Sequence, residues 1–233
     1  MTSLRRRYSP LAPALLVALA VGATACSKAS TSDLTPEQAL ADAKTKLDQA
    51  EGVHLVLATD RLPRGVSGLL GADGVGTHAP AFKGDIKVAV SGITADVKVI
   101  ATAGSVYAVP PLATKYVEVD PRDYGAPDPA ALMDPQGGLS SLLTEAKDPT
   151  EGKQERDGDQ VLSTYSATVP GKTVASIIPS ANAAQDFDAT FHLDGDARLH
   201  EAVLTGPFYP KGGDVTYTIT FDHYGAAPTI TAP

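Results

Sequence analysis

The segment 84–109, GDIKVAVSGITADVKVIATAGSVYAV, decides the fold of this chain. In its first two runs, apolar residues occupy every second position, with polar or small residues between them. This period of two is typical of strands that bury one face. Ser91–Gly92 separates the runs, and so short a connection containing glycine favours a β-hairpin. The segment therefore predicts two antiparallel strands with one apolar face and a third strand after Gly104.

Short connections between strand-like runs recur downstream of this segment. Asp157–Gly158 divides the stretch 152–169 and is among the strongest two-residue turn signals. Three more alternating runs close the chain, and the run 215–221 is the most regular of them. Because parallel strands need long crossover connections, these short turns predict an antiparallel sheet.

Three segments have helical periodicity instead. Residues 36–50 follow Thr35, which completes a capping box with Gln38. Shorter helices are predicted over about 138–146 and over 171–179. Because one face of the sheet is apolar, the helices should gather on that face. The expected fold class is therefore α+β, with a single highly curved antiparallel sheet.

The stretch 61–80, RLPRGVSGLLGADGVGTHAP, is rich in glycine and contains two prolines. Both residues are typical of turns and loops. We interpret this stretch as an irregular crossing rather than a strand. Because poorly packed loops open first, segment 62–80 is also a hypothetical mobile lip.

The only cysteine, Cys26, follows an N-terminus that is first basic and then apolar. Three arginines precede an apolar run of about fifteen residues, an order typical of a secretory signal segment. The run is shorter than the roughly 20 residues that span a bilayer. The pattern resembles a bacterial lipobox, whose cysteine takes a diacylglycerol thioether. Because Ala23 stands where leucine is usual, an ordinary signal peptide with an incidental cysteine is the alternative.

These features predict three parts: a lipoprotein signal peptide at 1–25, the acylated cysteine with a flexible tether at 26–35, and a single domain at 36–233. The net charge of the chain is −8, and removing a segment with three arginines and no acid leaves −11. This charge argues against nucleic acid as a partner and gives no attraction to anionic lipid. We therefore expect an exported protein that its lipid anchor holds on the outer face of the cytoplasmic membrane.

The sequence has no recognisable catalytic or metal-binding motif. A phosphate-binding glycine loop, a nucleophile elbow and an HExxH helix are all absent from it. The five histidines are scattered along the chain, and four of them fall on predicted strands or strand ends; solvent-facing positions are expected for them, with a shared metal site as the alternative. The Asp-Gly-Asp segments at 157–159 and 194–196 are interpreted as turns, with calcium loops as the alternative. We expect no enzyme activity, no metal and no cofactor.

Several segments together resemble the LprG/LppX family of mycobacterial and actinobacterial lipoproteins. They are Cys26, the opening helix, the hairpin segment 84–109, YGAPDPAALMDPQGGLSSLL at 124–143, the hairpin 152–171 and VASIIP at 174–179. The resemblance implies a LolA/LolB-like half-barrel with short helices across its concave face and an apolar cavity between the layers. It also implies that the cavity accepts acyl chains of glycolipids or triacylglycerols, which the protein transfers between membranes of the envelope.

Aliphatic side chains are expected to line this cavity. The sheet wall is predicted to consist of Ile86, Val88, Val97 and Val99. The helical roof is predicted to consist of Leu139, Leu142, Leu143, Val174, Ile177 and Ile178.

Two other classes of function compete with a lipid carrier. One is a scaffold lipoprotein that docks a lipid-export transporter or another envelope protein, and it should have a filled core. The other is a lipid-modifying hydrolase, which is disfavoured because the sequence shows no nucleophile–base arrangement.

Overall fold

The structure is a computed structural model that describes residues 34–233. The signal segment, Cys26 and most of the tether lie outside the described residues. The described helices and strands begin at Pro36 and end at Asp222.

Strands dominate the described chain. The α-helices are α1 Pro36–Gln49, α2 Ser141–Glu145 and α3 Gly171–Ile177, and the 3-10 helices are Pro121–Tyr124 and Pro129–Met133. The strands are β1 Gly52–Ala58, β2 Gly68–Thr77, β3 Ala81–Val90, β4 Ile93–Thr102, β5 Ser105–Val109, β6 Val117–Val119, β7 Lys147–Glu151, β8 Glu155–Asp157, β9 Gln160–Val169, β10 Phe187–Leu193, β11 Leu199–Gly206 and β12 Val215–Asp222.

The strands form one curved antiparallel sheet in the order β6-β5-β4-β3-β2-β1-β12-β11-β10-β9-β7, and β8 also pairs with β9. The sheet has an N-terminal half, β1 to β6, and a C-terminal half, β7 to β12. Among the strand pairings within residues 34–233, only the one between β1 and β12 connects these halves. We call this pairing the seam. The α+β fold class expected from the sequence is confirmed.

The segment 84–109 forms the strands that its periodicity predicts. β3 and β4 pair along their full length about the turn at Ser91–Gly92, and β5 follows the turn at Gly104. Both turn glycines adopt positive φ angles, which glycine allows without a Cβ clash. The predicted hairpin is confirmed.

Helix α1 begins and packs as the sequence predicts. The backbone N–H of Gln38 donates to the Thr35 hydroxyl, and the Gln38 side chain accepts from the backbone of Thr35. Leu40 and Leu47 are buried on the face that contacts the sheet and α2. The capping residues and the buried face therefore both favour a helix in this segment, and the predicted helix is confirmed.

The short helices lie on the apolar, concave face. Helix α2 packs against α1 and α3, and the 3-10 helix Pro129–Met133 packs against β2, β3 and β4. Asp128 caps that 3-10 helix, since its carboxylate accepts the Ala130 N–H at 2.9 Å. Helix α2 is shorter than the 138–146 expected, because the preceding residues form turns.

The interpretation of 61–80 as an irregular crossing is wrong for residues 68–77. These residues form β2, which pairs with β1 on one side and β3 on the other. Their glycines make room for packing instead of marking turns. A Cβ on Gly74 would lie 2.6 Å from the Phe82 ring, and one on Gly76 would lie 2.7 Å from Met133. Glycine in a strand is expected where another group approaches so closely.

The Asp-Gly-Asp segments are turns, as expected. The predicted hairpin forms between β8 and β9, but its two turn residues are Gly158–Asp159 instead of Asp157–Gly158, because Asp157 pairs with Gln160 as the last residue of β8. In the second segment, the Asp194 carboxylate accepts the backbone N–H groups of Asp196 and Arg198, each at 2.9 Å. A side chain that caps its own loop in this way is typical of a turn.

Candidate functional site

A cleft of about 620 Å³ opens beside the edge of the N-terminal half of the sheet. It lies between β5 and β6 on one side and the two 3-10 helices with the end of α3 on the other. Its aliphatic lining includes Val106, Val119, Leu132 and Ile177. We call it the edge cleft. Its volume is in the range of small-molecule sites in proteins, about 300–1,000 Å³.

Charged residues lie on the rim of the edge cleft. The guanidinium of Arg122 makes two contacts with the carboxylate of Asp120, at 2.8 and 3.0 Å. This pairing lowers the pKa of Asp120 and raises that of Arg122. Glu118 and Asp128 also border the cleft. The cleft therefore combines an apolar interior with a polar mouth, which suits a ligand with an apolar body and a polar head.

The predicted sheet wall runs along the inner face of the β3–β4 hairpin. Ile86 pairs with Val97, and Val88 pairs with Ala95. Val99 lies on the same face, two residues beyond Val97 and nearer the core. Val99 is only 3% exposed, whereas the three others predicted, Ile86, Val88 and Val97, are half-buried. Farther out, Val90 is 53% exposed and Ile93 is 72% exposed. An apolar strip thus passes from the core into solvent along this hairpin.

The predicted helical roof is mostly buried. Leu139, Leu142, Leu143, Val174 and Ile177 belong to the hydrophobic core, and Ile178 packs against it. Of all ten predicted lining residues, Ile177 is the one that borders the edge cleft. That the other nine line an acyl cavity stays a prediction.

A second cleft, of about 500 Å³, lies at the far end of the same hairpin. Leu62, Val66 and Leu70 line it together with residues of the turn between β3 and β4. The connection from β1 to β2, residues 59–67, forms one of its sides. The hypothetical lip is therefore confined to residues 62–67, since the rest of that segment is mostly strand β2.

Sequence reasoning did not anticipate one polar cluster on the outer face of the sheet. His54 of β1 lies beside Asp222, and His223 follows Asp222 directly. The pKa of His54 is raised, mainly by its hydrogen bond with Asp73. Burial lowers this pKa, and Asp222 raises it. Burial acts to raise the pKa of Asp222, but hydrogen bonds from His223 and His54 outweigh it and lower that pKa. The strand register, which no local pattern reveals, brings these distant residues together.

The fold and the clefts define a class of protein, a curved half-barrel whose apolar concave face is only partly covered by short helices. This chain belongs to the LppX_LprAFG lipoprotein family, whose model matches residues 35–229. The resemblance inferred from the sequence is thereby confirmed.

Relatives agree with this assignment. The lipoarabinomannan carrier protein LprG of Mycolicibacterium hassiacum is 29% identical over 242 residues, covering 99% of both chains. The crystal structure of LprF from Mycobacterium bovis matches with a TM-score of 0.67 at 19% identity, covering 88% of this chain and 98% of that one. LppX from Mycobacterium tuberculosis matches with a TM-score of 0.61 at 14% identity, covering 84% and 98%.

None of the helices within residues 34–233 is long and apolar enough to cross a membrane.

Proposed function

We propose that this protein is a non-catalytic carrier that binds acyl chains of glycolipids or triacylglycerols on its concave face and transfers them between membranes of the cell envelope. The observation that carries the proposal is the apolar strip on the β3–β4 hairpin. It leaves the core at Val99 and reaches solvent at Ile93, with half-buried Ile86, Val88 and Val97 between them. Apolar surface of this kind marks an interaction site when it is contiguous.

Physical chemistry explains why such a strip suits a carrier. Moving an acyl chain of about 16 carbons into water costs roughly 12 kcal/mol at about 0.8 kcal/mol per methylene. A carrier must therefore replace the bilayer with another apolar surface while the polar head stays outside. The strip supplies apolar surface, and the rim of the edge cleft, with Asp120 and Arg122, supplies groups for a polar head.

A relative supports a glycolipid as cargo. The LprG protein that matches along nearly all of this chain is named a lipoarabinomannan carrier. The paired charges of Asp120 and Arg122 offer both an acceptor and donors to hydroxyl groups of a sugar. We propose that a glycosylated head group lies at this rim.

In this proposal, the carrier stays anchored to one membrane. A diacylglycerol thioether on Cys26 holds the protein at the outer face of the cytoplasmic membrane, and residues 26–35 act as its tether. Family membership supports a lipoprotein. Two acyl chains give stable anchoring, because each buried methylene contributes about 0.8 kcal/mol.

The test is mass spectrometry of lipids that copurify with residues 27–233 produced in an actinobacterial host. We expect stoichiometric diacyl or triacyl lipid. Val88→Lys, which places a charge on the apolar strip, should reduce the lipid content. Asp96→Lys, on the outer face of the same hairpin, is the matched control and should leave it unchanged.

Lipid-free protein that also takes up no added glycolipid contradicts the carrier proposal. That result would favour the scaffold lipoprotein that docks an export transporter. Equal lipid content in the two lysine variants would place the cargo elsewhere on the protein.

A further inference from the structure

The polar cluster on the outer face joins the two halves of the sheet at the seam. The Nδ1 atom of His54 lies 2.6 Å from Oδ1 of Asp222, and Nδ1 of His223 lies 2.6 Å from the same oxygen. One ligand atom from each of these residues can be chosen so that all three lie within 4.8 Å of one another. Two imidazoles and one carboxylate thus converge on one point, across strands that are 168 residues apart in sequence.

The position of His223 is fixed by its surroundings. Its φ angle is +46°, a left-handed conformation that is uncommon for residues other than glycine. The turn that contains it is held to the start of β1, because the Gly225 N–H donates to the Gly52 carbonyl at 2.8 Å. The same turn is also held to β11, because the Tyr224 hydroxyl donates to the Leu199 carbonyl at 2.6 Å. The fold therefore holds the His223 backbone beside Asp222, and the contact with Oδ1 of Asp222 directs the exposed imidazole towards it.

Asp73 orients the second imidazole. Its Oδ1 atom lies 2.9 Å from Nε2 of His54, so that Nε2–H can donate to it, and a metal ion would replace the proton through which Nδ1 contacts Asp222. A histidine that binds a metal almost always donates its other N–H group to a carboxylate or a carbonyl in this way. Asp73 lies on β2, so the arrangement spans three adjacent strands.

We propose that His54, Asp222 and His223 form a binding site for a divalent transition-metal ion of the zinc type, with Asp73 as the positioning residue of His54. Imidazole nitrogen with carboxylate oxygen suits zinc, nickel and copper, whereas calcium and magnesium prefer oxygen alone. Three protein ligands leave a fourth position for water.

The geometry needs only a small adjustment to take the ion. Ligand bonds of about 2.0–2.2 Å in a tetrahedron place neighbouring donor atoms about 3.3 Å apart. The two 2.6 Å contacts must therefore open by less than about 1 Å, and the two histidine nitrogens, which lie within 4.8 Å of each other, must reach the same separation. The side chains are 25% exposed for His54, 45% for Asp222 and 76% for His223, so the ion can reach them and they have room to move.

Binding at this place would tie the seam together. His54 pairs directly with Asp222 in the β1–β12 register, which is the pairing that joins the two halves. The site lies on the face opposite the buried Val53, Leu55 and Phe221, and so away from the concave face. It is therefore independent of the proposed lipid cargo.

The test is calorimetric titration of the full chain, purified in detergent and stripped with EDTA, with ZnCl2 at neutral pH. We expect saturable binding of one Zn²⁺ per chain. Asp73→Asn should weaken binding by about tenfold, the lower limit for partners that orient a metal ligand. His54→Gln and His223→Asn should weaken it more; asparagine keeps the left-handed backbone accessible at 223. Cobalt should give the visible absorption of a tetrahedral site.

His200→Gln is the matched control, because His200 also lies beside a single carboxylate, Asp157, at 3.2 Å but has no second histidine. It should bind zinc like the unchanged protein. Equal binding by the unchanged protein and by His223→Asn, with both folded by circular dichroism, overturns the proposal. So does an equal loss in His200→Gln, since binding would then be unspecific.

Discussion

At the scale of single residues, glycines of β2 and β3 allow the Phe82 ring to pack directly against the sheet. Gly74 and Gly84 lie opposite each other, and the Phe82 ring lies over both of them. A side chain at either position would occupy the space of that ring. The buried Phe82 can therefore rest directly on the backbone of the sheet, which a larger residue would prevent.

Gly74→Ala should destabilise the protein by about 1–3 kcal/mol, because the added Cβ would lie 2.6 Å from Phe82 and 2.7 Å from the Lys83 carbonyl. Urea unfolding followed by circular dichroism measures the change. Gly195→Ala is the control, since nothing lies within 4 Å of its Cβ position and its φ is not positive. Equal stabilities of the two variants would show that Phe82 yields to the methyl group.

At the scale of elements, α1 depends on its N-terminal cap as well as on its buried face. Thr35→Ala removes the hydroxyl that accepts the Gln38 N–H. We expect a loss of about 1 kcal/mol in the free energy of unfolding, measured by urea denaturation. Thr45→Ala, in the exposed middle of α1, should leave stability unchanged or slightly raised, because alanine is the better helix former. A larger loss for Thr45→Ala would contradict the role of the cap.

The connection from β1 to β2 should behave differently from β2 itself. Residues 71–77 pair with β1 and β3, and Gly68 and Leu69 pair with β3, whereas 60–67 include none of the described strands. Hydrogen exchange should therefore be slow in 68–77 and fast in 60–67, because amides outside the ladder open first. Equal protection of the two segments would remove 62–67 as the lip of a lipid cavity.

At the scale of the whole molecule, side-chain hydrogen bonds join the halves of the sheet in addition to the strand pairing at the seam. The seam ends where β1 ends, at Ala58. Beyond that point, side-chain hydrogen bonds connect β12 to β2. There the Tyr217 hydroxyl of β12 donates to the Leu69 carbonyl of β2 at 2.5 Å and lies 2.6 Å from the Tyr209 hydroxyl. Burial raises the pKa of Tyr217. This bridge keeps the sheet continuous beyond the end of its central strand.

Tyr217→Phe should lower the free energy of unfolding by about 1–3 kcal/mol, because the Leu69 carbonyl loses its side-chain donor. Thermal or urea unfolding measures this loss. Tyr107→Phe on β5 is the matched control, since no side-chain hydrogen bond of Tyr107 occurs among the described residues. An unchanged stability of Tyr217→Phe would mean that water replaces the lost donor.

The sequence predicts the parts of this fold that depend on local chemistry. The Ser91–Gly92 turn and the Thr35 cap are confirmed, and the hairpin at Gly158 is confirmed with its turn one residue later than predicted, since each depends on residues a few positions apart. The sequence does not predict strand β2, because its glycines resemble turn signals. Their reason lies in Phe82 and Met133, which only packing brings onto them.

By itself, the sequence determined the antiparallel sheet and its apolar face, because hydrophobic periodicity and turn residues are local features of the chain. The family followed from the resemblance of particular segments, such as 124–143. The tertiary structure alone decided which apolar residues fill the core and which form a surface. Val99 and Val88 have the same alternating pattern, yet the first is buried and the second lies half-open. Likewise, only strand register brings His54 to Asp222 and His223. Burial and register depend on contacts between distant segments, and no local pattern specifies them.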